Sequence, residues 1–379
     1  MTIELRGITW SHPRGLDPLL EVSARSGEAG PLFVAGSFLR WDAQTLAGFE
    51  SRPIAELADI YDLIVLDHPG LGAAVEQGLL VPLDELVDAR QLGSWRDQCV
   101  GRAFDAYSYA ENQWALPIDA ATQVSARRAS SIGSPLTTWN DALSAATSKA
   151  VILPTLAPHT FLTFLGIAAA VDPVFEPSLH SLVPRQIGHT ALSILSSLIR
   201  MMPPEHHLLD PIMILDRMKQ DDTIDASPLL YGYVTYSGDD LVFDDAPRHR
   251  VDAAPGSVLG GTGLAISSRS KSPQAALAHL KVIGGSPAQT SVIPQSNGQP
   301  ADRKAWNDPH VNEARNGFYN RTLFTQLTAW RRPRYSGWIA CQEEASHLIY
   351  RGIANGEPHD EILDSVDDLY RTTRGNSPL

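Results

Sequence analysis

Apolar positions follow two rhythms that alternate along the chain. Ile3–Trp10 reads as a strand. His12-Pro13-Arg14-Gly15 follows as a turn, and a helix is expected from Asp17 to about Ser26, with Asp17 as N-cap and Pro18 at its first position. Pro31–Gly36 reads as a second strand, Ile54–Ile60 as a helix and Tyr61–Asp67 as a third strand. That third strand is apolar almost throughout, as expected for a strand covered on both faces. A β-α-β-α-β order of this kind predicts an α/β domain.

Leu71–Glu76 reads as a helix, Trp114–Asp119 as a short extended segment and Asn140–Lys149 as a helix. Residues 150–225 read mainly as helices, broken at Pro203-Pro204. Strand-like residues return at Pro228–Tyr236. Gly260-Gly261-Thr262-Gly263 reads as a glycine turn feeding an apolar strand, and Ser272-Pro273 starts a capped helix to about Ile283. Helical stretches at about Gly337–Asn355 and Glu361–Thr373 complete the chain.

Composition narrows the function classes. The chain has 379 residues, enough for two or three domains or one large bilobed one. Its net charge of −13 lacks the basic face that a sequence-independent nucleic-acid binder or an anionic-lipid binder needs. No nucleic-acid partner is therefore expected. The two cysteines, Cys99 and Cys341, form no CxxC and read as small hydrophobes. The longest nearly apolar run, Phe161–Val171, is about half the ~20 residues a membrane span needs. A strand begins almost at Met1, with no export signal before it. With Met1 as the native start the expected location is the cytoplasm; with a signal removed it is the periplasm or cell surface.

No GxSxG elbow, HExxH or P-loop is present. Gly261-Thr262-Gly263 lacks the third glycine of a dinucleotide loop and precedes its strand. His206-His207 reads as a surface pair. No metal or organic cofactor is implied. Two βα loops, Thr9–Gly15 and Leu66–Gly70, lie at carboxyl ends of strands, where open α/β sheets bind ligands. They bring His12, Asp67 and His68 toward one place, as polar lining of a cleft or as an acid/base set. Trp10, Trp114, Tyr231, Tyr233, Tyr236 and Trp338 sit at element ends or beside glycines, where rings can stack on a ligand.

Several segments, taken in order, resemble the extracellular solute-binding proteins of ABC transporters, in particular the carbohydrate-binding family that includes the maltodextrin-binding proteins. These are Tyr61–Val65 with Glu76–Asp84, Trp114–Val124, Thr138–Leu143, Gly260–Ser267 with Ser272–Ile283, and Ser296–Pro300 with Arg303–Trp306. The resemblance implies a periplasmic-binding-protein-like α/β fold: two α/β lobes, a hinge and an interlobe ligand cleft. Lobe one would be 1–113 plus 264–318, and lobe two 114–263 plus 319–379.

It also implies a monomeric binding protein and no enzyme, with a small carbohydrate-like ligand captured by hinge closure and an ABC permease as partner. Carried over by resemblance, the ligand-binding residues are Trp10, Ser11, His12, Arg14, Asp67, His68, Asp119, Thr122, Gln123, Tyr231, Tyr233, Gly261, Thr262 and Trp338. Trp338 falls where maltodextrin-binding relatives keep a stacking aromatic. Pro69-Gly70 stands where they keep a charged Asp-Arg pair, which points to a smaller, less hydroxylated or partly aromatic ligand. The alternative is a cytoplasmic derivative of the fold acting as a metabolite sensor, carrier or enzyme.

Overall fold

The computed structural model describes residues 2–25, 33, 34, 36–375 and 377. Ten strands are present among them: β1 (Ile3–Trp10), β2 (Phe33–Val34), β3 (Ser37–Gln44), β4 (Leu63–Leu66), β5 (Ser108–Tyr109), β6 (Asn112–Gln113), β7 (Ala115–Arg128), β8 (Ala226–Tyr231), β9 (Leu241–Asp244) and β10 (Leu259–Ile266). Eight form one sheet path in the order β2-β3-β1-β4-β10-β7-β8, with β9 also on β7. The pairs β1–β3 and β1–β4 are parallel; the others on the path are antiparallel.

The 14-residue β7 joins the two halves of the molecule. Ala115–Thr122 pairs with β10, and the segment from Gln123 to Arg128 pairs with β8 and β9. β10 shifts register between Thr262 and Gly263, next to Gly261 at φ +101°. A Cβ on Gly261 would lie 2.4 Å from the Asp119 carbonyl, so the close crossing of the two long strands requires glycine there.

β4 shows why its sequence is apolar without alternation. Leu63 and Val65 face one core, and Ile64 and Leu66 face a second. Both faces are covered, and each such side chain contributes about 1.5–3 kcal/mol through burial. The helices Pro273–Ile283 and Leu71–Glu76 match the reading of the chain, the former starting at Pro273 as expected. Trp139–Ala146 begins in a reciprocal cap: Thr138 Oγ1 accepts from Asp141 N–H at 3.2 Å, and Asp141 accepts from Thr138 N–H at 2.8 Å.

Four readings change. The first helix spans Pro13–Arg25, so Pro13 and not Pro18 leads it; the imidazole of His12 accepts from Arg14 N–H at 3.1 Å and does the capping expected of Asp17. β3 was missed because only Ser37 and Leu39 of Ser37–Gln44 are fully buried, and β2 covers its outer side over Ser37 and Phe38 alone. Gly260–Gly263 lies inside β10, where Gly260 and Gly261 pair with β7 and Gly263 pairs with both β7 and β4. His206 is 4% exposed, with its Nδ1 2.9 Å from Arg217 Nη1, so the expected surface pair is half buried. Of the strand read at Pro31–Gly36, residues 31, 32 and 35 lie outside the described residues. Cys99 and Cys341 are buried, unpaired thiols.

Candidate functional site

A cavity of about 240 Å³ opens between the end of β4 and the start of two helices, His159–Val171 and Trp338–Asn355. One wall carries Phe49, Asp67 and Gly70. The facing wall carries His159, Tyr231, Arg332 and Gln342. An ion pair bridges the two walls: Arg332 Nη2 donates to Asp67 Oδ2 at 2.7 Å. Asp67 Oδ1 also accepts from His68 N–H at 2.8 Å, which caps the turn that follows β4.

The two charges sit in different surroundings. The Asp67 side chain keeps 31% exposure, whereas that of Arg332 keeps 3%. Burial works to raise the Asp67 carboxyl, but Arg332, then His68, hold it down at about 2. Burial, then Arg332, pushes His159 down to about 3, so it is a neutral imidazole at pH 7. Its ring meets Tyr231 edge-on at 6.3 Å. Close backbone packing aims Arg332. A Cβ on Gly72 would lie 1.8 Å from the Arg334 carbonyl, so the helix Leu71–Glu76 presses directly on the segment that carries Arg332.

Behind Phe49 lies an aromatic stack. Trp10 stacks on His12 at 5.0 Å and on Phe49 at 5.8 Å, and Tyr233 meets His12 edge-on at 5.1 Å. The Arg14 guanidinium lies 4.9 Å from the Tyr233 ring. Arg14 grips Asp119 with two hydrogen bonds, 2.9 and 2.5 Å, and donates to the Gly232 carbonyl at 3.2 Å. Burial, then Arg14, lowers His12 to about 4.

Asp67 and Tyr231, of the residues carried over from the resemblance, line the cavity. Trp10, His12 and Tyr233 form the stack behind it. Arg14, Asp119 and Thr262 line a separate void of about 20 Å³, too small for a solute. His68 is fully buried against Tyr107 and supports the Asp67 turn from behind. His12, capping a helix and stacked on Trp10, and His68, behind Asp67, do not form an acid/base pair facing one cavity. Ser11 is exposed and ties its N–H to the Gln44 carbonyl at 2.7 Å.

Other expected contacts point into the core. Thr122 is buried, and its carbonyl accepts from Gly232 N–H at 3.1 Å. Gln123 is fully buried, its Oε1 taking Val258 N–H at 3.3 Å. Gly261 serves the strand crossing described above. Trp338 is fully buried between Phe161 at 5.8 Å and Tyr335 at 5.7 Å, and the next residue, Ile339, faces the cavity instead. One helical position rotates the ring by about 100°, enough to move it from cleft to core. Trp338→Ala is therefore expected to cost about 3–5 kcal/mol of stability, read as a lower urea midpoint. Ligand affinity, measured well below the melting temperature, should change less than tenfold; a larger loss would return the ring to the site.

Sequence reading missed Phe49, His159, Arg332 and Gln342. The run Arg331-Arg332-Pro333-Arg334 was the available signal for Arg332, since clustered arginines beside a proline-fixed loop seek anionic partners.

Two lobes that share long crossing strands, with a cleft at strand ends, define a periplasmic-binding-protein-like fold. Solved structures agree over the whole chain. An ABC transporter solute-binding protein from Thermotoga lettingae TMO, bound with alpha-D-tagatose, is similar with TM-score 0.79 and 16% identity, covering 99% of this chain and 100% of that one. One from Agrobacterium radiobacter K84, in complex with ribitol, gives TM-score 0.75 and 17% identity, covering 98% of each chain. A cyclo/maltodextrin-binding protein complexed with maltotetraose gives 0.76 and 14%, covering 100% of this chain and 99% of that one. No protein-family model matches the chain, and no curated protein matches it.

Proposed function

We propose that this protein is a solute-binding protein of the ABC-transporter type that holds a small neutral polyhydroxylated solute, a monosaccharide or polyol, in the cavity beside Asp67 and Arg332. One observation carries the reading: three buried polar atoms on the lining residues have no hydrogen-bond partner, namely Gln44 Oε1, His159 Nδ1 and Arg332 Nε. Buried polar atoms left unpaired cost about 1–3 kcal/mol each, so such a set belongs to a site completed by a ligand. Gln44 Oε1 needs a donor and Arg332 Nε an acceptor. A hydroxyl group supplies both. Phe49 and Tyr231 offer apolar faces for a sugar ring.

The volume of about 240 Å³ suits one small solute better than an oligosaccharide chain. Tagatose and ribitol, the solutes held by two of the similar structures, are of that size class. The lobes would be 1–113 plus 264–318 and 114–263 plus 319–379, with the register shift at Thr262/Gly263 at the boundary. Asp67 and Arg332 then lie on different lobes, and their ion pair latches the closed cleft. The protein would work as a monomer outside the cytoplasmic membrane and deliver its solute to a permease, with no covalent step. No helix among the described residues is long and apolar enough to cross a membrane.

Protein stripped by unfolding and refolding should be titrated calorimetrically with D-tagatose, ribitol, D-glucose and maltotetraose. Binding of at least one monosaccharide or polyol, tenfold or more tighter than maltotetraose, is the expected result. Heat from none of the small neutral solutes, or turnover of a bound one, would overturn the reading.

A further inference from the structure

The segment Trp330–Tyr335 lines a second and larger cavity, about 650 Å³, closed on its other side by the β5–β6 hairpin and by Glu176-Pro177. Three arginines of the segment border it. Arg332 is committed to Asp67. Arg331 and Arg334 are not paired: among the described residues neither has a carboxylate within the 4.0 Å of an ion pair. Each uses one nitrogen on backbone. Arg331 Nη1 donates to the Asp105 carbonyl at 3.1 Å, and Arg334 Nη1 donates to the same carbonyl at 2.9 Å and to that of Ser108. Arg334 Nε is buried without any partner.

The charge here is incompletely neutralised. Burial, then Arg331, lowers Arg334 to about 10, and burial, then Arg102, lowers Arg331; Asp105 and Glu176 oppose this only in part. Two guanidiniums side by side, each with donors to spare, form a fork for an oxyanion. Tyr109, Pro333, Tyr335 and Tyr370 give the remaining wall an aromatic, apolar character. Glu111 and Glu176 also border the cavity and set a limit on the charge it accepts.

We propose that this cavity is an anion site, separate from the cleft, that binds a small organic carboxylate or phosphate ester with an aromatic or apolar body. Its oxygens would take Arg334 Nε and the free donors of Arg331, and its body would lie against the tyrosines.

The test is calorimetric titration of the full chain with benzoate, phenyl phosphate and inorganic phosphate, and with phenol as the neutral analogue. Arg331→Gln is the principal variant, because Arg331 makes a single backbone bond. Arg250→Gln, at an exposed arginine, is the charge control. Benzoate or phenyl phosphate should bind, at least tenfold more weakly in Arg331→Gln, and more weakly as salt rises from 50 to 500 mM. Arg250→Gln should bind as the wild type does. Benzoate and phenyl phosphate separate the two oxyanion sources, and binding of either supports the site. Equal binding of phenol, equal loss in Arg250→Gln, unchanged affinity in Arg331→Gln, or binding of inorganic phosphate alone would each overturn it. If Arg331→Gln melts early, Arg331→Lys replaces it. That variant keeps the charge but loses the planar fork, and should still weaken binding severalfold.

Discussion

Asp67→Ala is expected to destabilise the protein by about 3–5 kcal/mol, the cost of leaving a buried charge without its partner. Arg332→Ala should cost less, about 1–3 kcal/mol. The asymmetry follows from the exposures. Removing Asp67 strands a guanidinium that is 3% exposed, whereas removing Arg332 leaves a carboxylate that still reaches water at 31%. Gln342, 3.5 Å from Arg332 Nη1, is a neutral partner and cannot replace the charge. The double variant should be no less stable than Asp67→Ala, because it removes both charges together. Denaturant unfolding of the three variants measures this. If Arg332→Ala is the more damaging single change, the ion pair is not organised around a buried arginine. Both single variants should also weaken binding of the proposed solute by at least tenfold, since they remove polar groups from the cavity wall.

Acidification should lower stability well before Asp67 is protonated. His68 and His159 are buried, and their pKa values fall from 6.5 to about 4 and about 3. Burial is the leading cause in both, with Arg332 next. The unfolded chain takes up these two protons near pH 6.5, and the folded chain does not. Stability therefore drops as pH goes below 6.5 and continues to drop until the folded values are reached. By pH 5 the loss is about 2 kcal/mol for each of these two histidines, and His12, also held at about 4, adds to it with the same sign. Asp67 acts in the same direction, but at lower pH. Its contribution is complete above 3.8 and is lost between 3.8 and about 2, so it adds nothing to the change at pH 5. Thermal melts at pH 7.5, 6 and 5 should show a fall of several degrees, and His68→Gln should remove roughly a third of the slope. A melting temperature independent of pH across this window would mean that neither ring is held neutral by the fold.

The fold was legible in the chain to the extent that local pattern decides it. Ile3–Trp10 and Leu71–Glu76 begin and end as read, because alternation and unbroken apolar runs report on which faces meet a core. Pro13 and Pro18 both suit a helix start, and pattern alone chose the wrong one. His12 decides the matter by capping Arg14 N–H, a side-chain geometry without a sequence period. β7 was read as far as Asp119 only, because Ala120–Arg128 is polar enough to pass for a loop until the pairing strands β8, β9 and β10 are supplied.

The site divides in the same way. The sequence by itself determined that an Asp would sit at the carboxyl end of an apolar strand, at Asp67. That follows from a strand end, which is local. Tyr231 was read inside a strand-like run, Pro228–Tyr236, and only the pairing with β7 ends β8 at it. Only the tertiary structure decided that Arg332 lies 2.7 Å from Asp67, 265 residues away along the chain, and that Trp338 turns into the core. Which distant charges meet, and which face of a helix a ring occupies, depend on how elements pack across β7 and β10. Packing is set by the summed contacts of many residues, and no single segment of the chain encodes it.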